Sequence, residues 1–351
     1  MHKPKAPKCV PARRATLLLA ASLLLTGCGL FKPSRKISVP QPLGPLVEAD
    51  APQMFAEINR LAAVNALDGR VDIQFLDNSF AECGIAEKYR TADGRVVVQR
   101  PGKIYLVINI PIIGTKLAEM SSNGERFWAA VYQGDARYRR FVMGTNSASY
   151  EKLDGNARGA SPDCNQDGKK REEAMQRATV SALSSLRPQH FTDALLVPPV
   201  SATGSNLVYA SAETFEEEAD PRPGAKKDSR VIHGYYILTE FEPQSASSAR
   251  VVRRFWFDRV GQLRLARVQN YGEGGRLVTD VVYGAQAAFG EDGARRLPAQ
   301  IELTRPQDHY SLRVVFQEPG AVKVDQPKPD DAFVLKNSQN LPVVDLDAAR
   351  K

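Results

Sequence analysis

The chain has 351 residues, 47 basic and 40 acidic, with a formal net charge of +7. Five basic residues and no acidic ones precede Cys28, so the chain from Cys28 onward carries only +2, which excludes the basic surface of a nucleic-acid binder. The 324 residues from that point suffice for one large β domain or two small ones.

In chain order, Lys3, Lys5, Lys8, Arg13 and Arg14 form a positive head, and Ala15 to Leu25 runs apolar apart from Thr16 and Ser22. That run is shorter than the roughly 20 residues of a bilayer span, so the segment reads as a secretory signal. Leu25, Thr26 and Gly27 before Cys28 resemble the lipobox of bacterial lipoproteins. The resemblance implies a signal peptide over 1–27, cleavage before Cys28 and lipid on its sulfur. The alternative is an ordinary signal with a chance cysteine. Gly29 follows where an aspartate would favour inner-membrane retention, which points to the outer membrane, facing the periplasm. One acyl chain anchors marginally, whereas two or three hold. Of the four cysteines, Cys9 leaves with the signal, and Cys83 and Cys164 remain in an oxidising compartment. They either pair as a disulfide or stand as separate thiols, since sequence does not show that they meet.

Residues 28–50 contain Pro33, Pro40, Pro42 and Pro45 and read as an extended tether, reaching at most roughly 70 Å if polyproline-like. Asp50-Ala51-Pro52 is a helix start, and Met54, Phe55, Ile58, Leu61 and Ala62 follow at helical spacing. Asn65 to Gly69 ends that helix, and from Gly69 the period becomes two. Strands are expected at 71–75, 83–90, 95–100, 103–110, 115–122, 126–133 and 137–143, with turns at Asp93-Gly94, Asn123-Gly124 and Gly134-Asp135. Residues 154–170 read as a polar loop, 172–186 as a helix stopped by Arg187-Pro188, and 191–197 as a further helical turn. Strand patterns return at 206–212, 230–241, 250–258, 262–271, 276–284, 298–304 and 309–317. Glu216 to Ser229 reads as a solvated loop and Gly272 to Gly275 as a hairpin turn. The organisation is one β domain over 51–345, with a helical and loop insertion near 154–230 and a tail over 346–351.

Catalysis finds little to work with. After the signal the histidines are His190, His233 and His309, none in a nucleophile context, and there is no G-x-S-x-G and no phosphate-cradling glycine loop. Neither an enzyme nor a cofactor is expected. Asp163 to Gly168 begins like a calcium loop, but Ala174 stands where a bidentate acid belongs, so a polar loop is preferred and no metal is expected. Several strands are apolar on both faces: Ile104, Leu106, Ile108 and Ile110 oppose Tyr105 and Val107, and Phe255 and Phe257 oppose Trp256. Either helices cover both faces or one face lines an apolar cavity, and periodicity alone favours a filled core. Pro111-Ile112-Ile113-Gly114 puts bulky apolar residues at a hairpin tip, which either contacts lipid or a partner or folds onto the body.

Several motifs in order resemble the LolA/LolB-like superfamily of lipoprotein carriers. They are Gln99-Arg100-Pro101-Gly102-Lys103-Ile104, Ser122-Asn123-Gly124-Glu125-Arg126-Phe127-Trp128, Phe255-Trp256-Phe257-Asp258, Leu297-Pro298 and Asp331-Ala332-Phe333. The resemblance implies a mainly β fold, a curved incomplete antiparallel barrel closed by lid helices. Its cavity would hold acyl chains, with Ile104, Leu106, Ile108, Phe127, Phe255 and Phe257 as candidate lining residues. The 54–65 helix and residues 172–197 would close it, and Pro111 to Gly114 would hand lipid to the membrane. Implied partners are membrane lipid through Cys28, acyl chains of lipids or lipoproteins, and a periplasmic carrier protein. The competing reading is a non-catalytic envelope scaffold with a filled core. The 154–230 insertion has no assignable counterpart, and no ligand-gripping arginine is carried over.

Overall fold

The computed structural model describes residues 39–77, 87–88, 91–110, 114–133, 136, 139–148, 188–201 and 206–348. Leu25, Thr26, Gly27, Cys28, Cys83, Cys164, Pro111, Ile112 and Ile113 lie outside the described residues, as do the calcium-like run and the helix expected at 172–186. Residues 1–41 separate from 42–351, and the following concerns the second unit.

Helix α1 spans Ala51–Ala62, as its capping acid and early proline predict. Asp50 Oδ1 accepts from the Gln53 N–H at 2.9 Å, and the Asp50 N–H donates to Gln53 Oε1 at 2.9 Å. Such a capping box stabilises a helix by roughly 1 kcal/mol. Met54, Ile58 and Leu61 form its buried stripe.

Alternation then takes over. Strands β1 (Ala66–Asp77), β2 (Ala92–Gln99), β3 (Lys103–Asn109), β4 (Lys116–Asn123), β5 (Arg126–Val131) and β6 (Arg140–Thr145) form an antiparallel meander. Helix α2 spans Pro188–Leu195. A second meander follows: β7 (Val208–Ala219), β8 (Arg230–Ser245), β9 (Ser248–Asp258), β10 (Arg264–Tyr271), β11 (Leu277–Tyr283), β12 (Gln300–Arg305) and β13 (Tyr310–Phe316). A short hairpin, Gln286–Phe289 with Arg295–Pro298, is inserted before β12. The long β1 joins the two meanders, pairing with β2 along one edge and β13 along the other. The last strand, β14 (Val343–Asp345), lies parallel to β6.

The result is one large curved mixed sheet running from β7 to β14, and among the described residues nothing pairs those two edges. The fold is thus the mainly β, incomplete barrel that was expected. The two-faced apolar strands have a simple origin. α1, α2 and the short hairpin cover the inner face, while Leu335 and Leu341 of the C-terminal segment cover Trp128, Ala130, Tyr132, Phe141 and Met143 on the outer face.

Three local expectations are corrected. Asp93-Gly94 is not a turn but lies within β2, opposite Asp72 and Val71 of β1 and Asn109 and Ile108 of β3. A Cβ on Gly94 would stand 2.6 Å from Ile73 Cδ1 and 2.6 Å from the Val107 carbonyl oxygen, so this glycine permits close strand approach. Glu216, Glu217 and Glu218 belong to β7 rather than a loop, because each finds a register partner on β8. The irregular tail supplies β14, and Leu346 packs with Phe127.

The β7 edge is fastened by a buried histidine. The His233 ring approaches Asp258 Oδ1 at 2.8 Å through Nε2 and Glu218 Oε2 at 3.2 Å through Nδ1. Burial alone would lower the imidazole pKa, but Asp258 and then Glu218 raise it above the ordinary histidine value. Asp258 also receives the Arg264 guanidinium and the Val260 N–H, and Glu218 the Tyr235 hydroxyl.

Gly94→Ala should cost roughly 1–3 kcal/mol in urea unfolding, and Gly94→Val more; an unchanged midpoint would show that the three strands relax freely. For His233, a raised folded-state pKa means that its stabilisation is complete below the unfolded value near about 6.5 and fades as pH rises through the folded value. Melting temperature should therefore fall over that window in the native protein, and His233→Gln should flatten the fall.

Candidate functional site

Residues directly opposite across a sheet share a face. Val98, Ile104, Ser122 and Phe127 therefore form one inward row, and Val96, Leu106, Met120 and Ala129 the next. Ile104, Leu106, Ile108, Phe255 and Phe257 all join the main core, with the buried stripes of α1 and α2. Phe127 shares their face but packs in a separate small cluster with Ala129, Val142 and Leu346. Gly114 adopts φ +69°, and its N–H donates to the Ile110 carbonyl at 3.1 Å, closing the base of the loop whose tip was expected to touch lipid.

Between α1, α2, the short hairpin and the sheet a hollow of about 20 Å³ remains, lined by residues including Leu61, Val64, Leu195, Phe289 and Phe316. A space that small holds about one water molecule. The inner face is therefore filled by the protein's own helices at this site, and an acyl chain would have to take their place.

Besides the apolar stripes of α1 and α2, a set of polar contacts directed at backbone holds the helices there. Arg100, at the end of β2, donates from Nε to the Val64 carbonyl at 3.1 Å and from Nη2 to the Val197 carbonyl at 2.7 Å. One guanidinium thus joins the chain leaving α1 to the chain leaving α2. Desolvation pushes its pKa down, with the charge of Asp193 opposing. Asn59 of α1 accepts from the Val200 N–H at 3.0 Å and donates to the Val200 carbonyl at 2.9 Å. The buried Tyr283 hydroxyl donates to the Ala194 carbonyl at 3.2 Å, and Arg60 reaches the Arg296 carbonyl of the short hairpin at 2.7 Å.

Beside this latch lies a charged set. On the inner face of β8 and β9, Arg253 clamps the fully buried Glu240, whose carboxylate also accepts from the Tyr209 hydroxyl at 2.9 Å. Tyr209 meets Phe55 of α1 edge-on, with ring centroids 4.9 Å apart. Asp193 of α2 is exposed, yet protein surrounds it closely enough that desolvation raises its carboxyl pKa, against the charges of Arg253 and Arg100. An apolar surface with charge at one place can receive an amphiphile, and no group here is arranged as nucleophile with base. Sequence reasoning placed Arg100 in a motif but gave it no role, and it missed Asn59 and Asp193. The available signal was an arginine fixed beside a Pro-Gly turn. Among the described residues no helix is long and apolar enough to cross a membrane, and no group of three or more metal-ligating side chains could hold an ion.

No family model matches the chain, and no curated protein matches it. Among solved structures, a LolA superfamily protein from Nitrosomonas europaea is 13% identical at TM-score 0.37, covering 82% of this chain and 99% of its own. A domain described as an outer membrane lipoprotein-sorting protein, from Vibrio parahaemolyticus, is 10% identical at TM-score 0.38, covering 80% and 94%. A DUF1329 family protein from Desulfovibrio piger is 12% identical at TM-score 0.38, covering 80% and 95%. Two of these carry the grouping that the sequence motifs resemble; at such identities and scores they bear on neither ligand nor activity.

Proposed function

We propose that this protein binds acyl chains of lipids or lipoproteins on its inner sheet face, by exchange with the helices that now cover it. The observation that carries the reading is the Arg100 latch, two hydrogen bonds from one side chain that tie both helix exits over an unclosed apolar sheet. Apolar packing holds each helix by itself, whereas one half-buried guanidinium bonded to both carbonyls can release both exits together. In this reading the protein is an outer-membrane lipoprotein. Residues 1–27 are its signal, Cys28 its lipid anchor, 28–50 its tether and 51–345 its working domain. Pro111, Ile112, Ile113 and Gly114 would touch the bilayer during transfer, and a periplasmic carrier would exchange cargo with it. The anchoring rests on Leu25-Thr26-Gly27-Cys28.

One observation favours the second reading, a non-catalytic envelope scaffold: the hollow is only about 20 Å³. The two readings separate in the test tube. A soluble form starting at Gly29 should carry lipid in native mass spectrometry and take up a fluorescent fatty acid. Arg100→Leu, which removes the latch, should speed amide exchange over residues 191–197 and raise the rate of uptake. Protein that stays lipid-free and takes up nothing, with or without Arg100, would establish the scaffold. Ile112→Asp with Ile113→Asp should slow delivery of acyl cargo to liposomes without changing uptake, and unchanged delivery would remove that loop from the mechanism.

A further inference from the structure

The outer face of the second meander bears a feature that acyl binding does not use. Across β8 to β11 it sinks into a groove of about 640 Å³, a volume typical of small-molecule sites. Its floor is aromatic: Tyr235 and Trp256 stand at 77° to each other, ring centroids 5.7 Å apart. Val260, Ala266 and Val282 extend the floor, and Val282 is 46% exposed. At one end β7 supplies Glu216, Glu217 and Glu218.

The charges around the groove nearly all cancel in pairs. Glu217 faces Arg230 at 3.2 Å, Glu218 faces His233, and Asp258 faces both His233 and Arg264. Asp280, alongside, holds Arg267. Glu216 receives only the Thr214 hydroxyl, at 3.5 Å, and among the described residues no cation is in ion-pair contact with it. The rings meanwhile already attract cations. The His233 ring stacks on Tyr235 at 4.4 Å, and the Arg267 guanidinium lies over Trp256 at 5.5 Å from its centroid. Arg267 is held protonated first by Asp280, and the charge of Glu216 adds to that.

We infer that this groove binds an organic ammonium group on an apolar stem, the ammonium against Glu216 and the Tyr235–Trp256 pair, the stem along Val260, Ala266 and Val282. A free carboxylate beside perpendicular aromatic rings supplies both the charge and the polarisable faces such a cation seeks, and the exposed valine gives its stem cover. A carboxylate or phosphate ligand would meet an unpaired like charge. A lysine side chain of a polypeptide offers this chemistry, an ammonium on an apolar methylene stem, whereas the ethanolamine head group of a phospholipid carries its ammonium beside a phosphate that Glu216 would repel. The inference does not depend on the acyl-binding reading, since the groove lies on the opposite face.

Residues 42–351 form their own unit, so a chain starting at Gly29 keeps the whole groove. The sequence has two tryptophans, and Trp128→Phe leaves Trp256 as the only tryptophan, read by excitation selective for indole. Hexylammonium should shift its emission saturably, while hexanol and hexanoate should not. Glu216→Gln should weaken hexylammonium binding by roughly fivefold. Val282→Lys, which fills the groove from another strand, should abolish binding, with the far-UV spectrum of each variant confirming its fold. An equal response to hexanol, or no effect of Glu216→Gln in a folded protein, overturns the assignment. N-acetyl-lysine methylamide and monomeric dihexanoyl phosphatidylethanolamine then test that source. Saturable binding of the first supports the assignment, and binding of the second alone, or of neither, overturns it.

Discussion

A sheet that curves without closing leaves an apolar face with no second layer of its own, and everything else in this protein answers that constraint. β7 and β14 do not pair among the described residues, so the inner face must be covered by segments from elsewhere in the chain. Those segments are α1, before the first long strand, and α2, between the two meanders. Their separation in sequence means that no local signal can fix them side by side. Asn59 to Val200 and Arg100 to Val64 and Val197 do so instead, and each side chain bonds to backbone groups of the segments that follow the helices. Hydrogen bonds of this kind are worth about 1–3 kcal/mol when the donor is charged, and burying the guanidinium takes part of that back. The cover is secured by the apolar stripes of both helices together with these few polar contacts.

The outer face obeys a different rule. Over the second meander it meets water, and its stability comes from cross-strand pairs. Arg267 faces Asp280 between β10 and β11, and Arg313 faces Glu302 between β12 and β13. Such exposed pairs contribute roughly 0–1 kcal/mol each, yet they set register, because a one-residue slip would carry each charge to the apolar face. Over the first meander the C-terminal segment covers this face. There Glu119 is buried beneath the hydroxyls of Tyr105 and Tyr132 and the Lys116 ammonium. Desolvation pushes its carboxyl pKa up, but those three donors outweigh it and leave the value lowered.

What the sequence could convey was whatever a few neighbouring residues determine. The Asp50 cap, the Met54-Ile58-Leu61 stripe, the alternation in β3 and the turn at Asn123-Gly124, where Gly124 takes φ +98°, are all written locally, and all appear where expected. Gly94 misled because glycine serves two purposes, and only the positions of Ile73 and Val107 reveal that here it makes room rather than a turn. Glu216 to Glu218 misled because an acidic triplet reads as solvated loop until β8 supplies its ladder partners. At the candidate site, Ile104, Leu106, Ile108, Phe255 and Phe257 were legible as one apolar set, since alternation puts them on a common face. Arg100, Asn59 and Asp193 were not, because their roles depend on segments up to 141 residues away in the chain.

The small hollow beneath α1 and α2 and the acyl-binding reading are compatible once the competing states are compared. Releasing α2 would expose Phe191, Ala194 and Leu195, of which the two large side chains cost about 1.5–3 kcal/mol each, together with the carbonyl bonds of Arg100. An acyl chain drawn from water would gain about 0.8 kcal/mol per methylene, so about fifteen methylenes match the upper end of the cost of releasing α2. A chain drawn from a bilayer gains almost nothing, because it leaves one apolar medium for another. On this reading the open, loaded state lies downhill of acyl chains in water but uphill of acyl chains in a membrane. The closing of α1 and α2 would then drive cargo out whenever a bilayer is near. A permanently hollow barrel would lack that bias, since it would hold acyl chains about as well as the membrane does. The direction of transfer would follow from the helices occupying the site whenever the lipid does not.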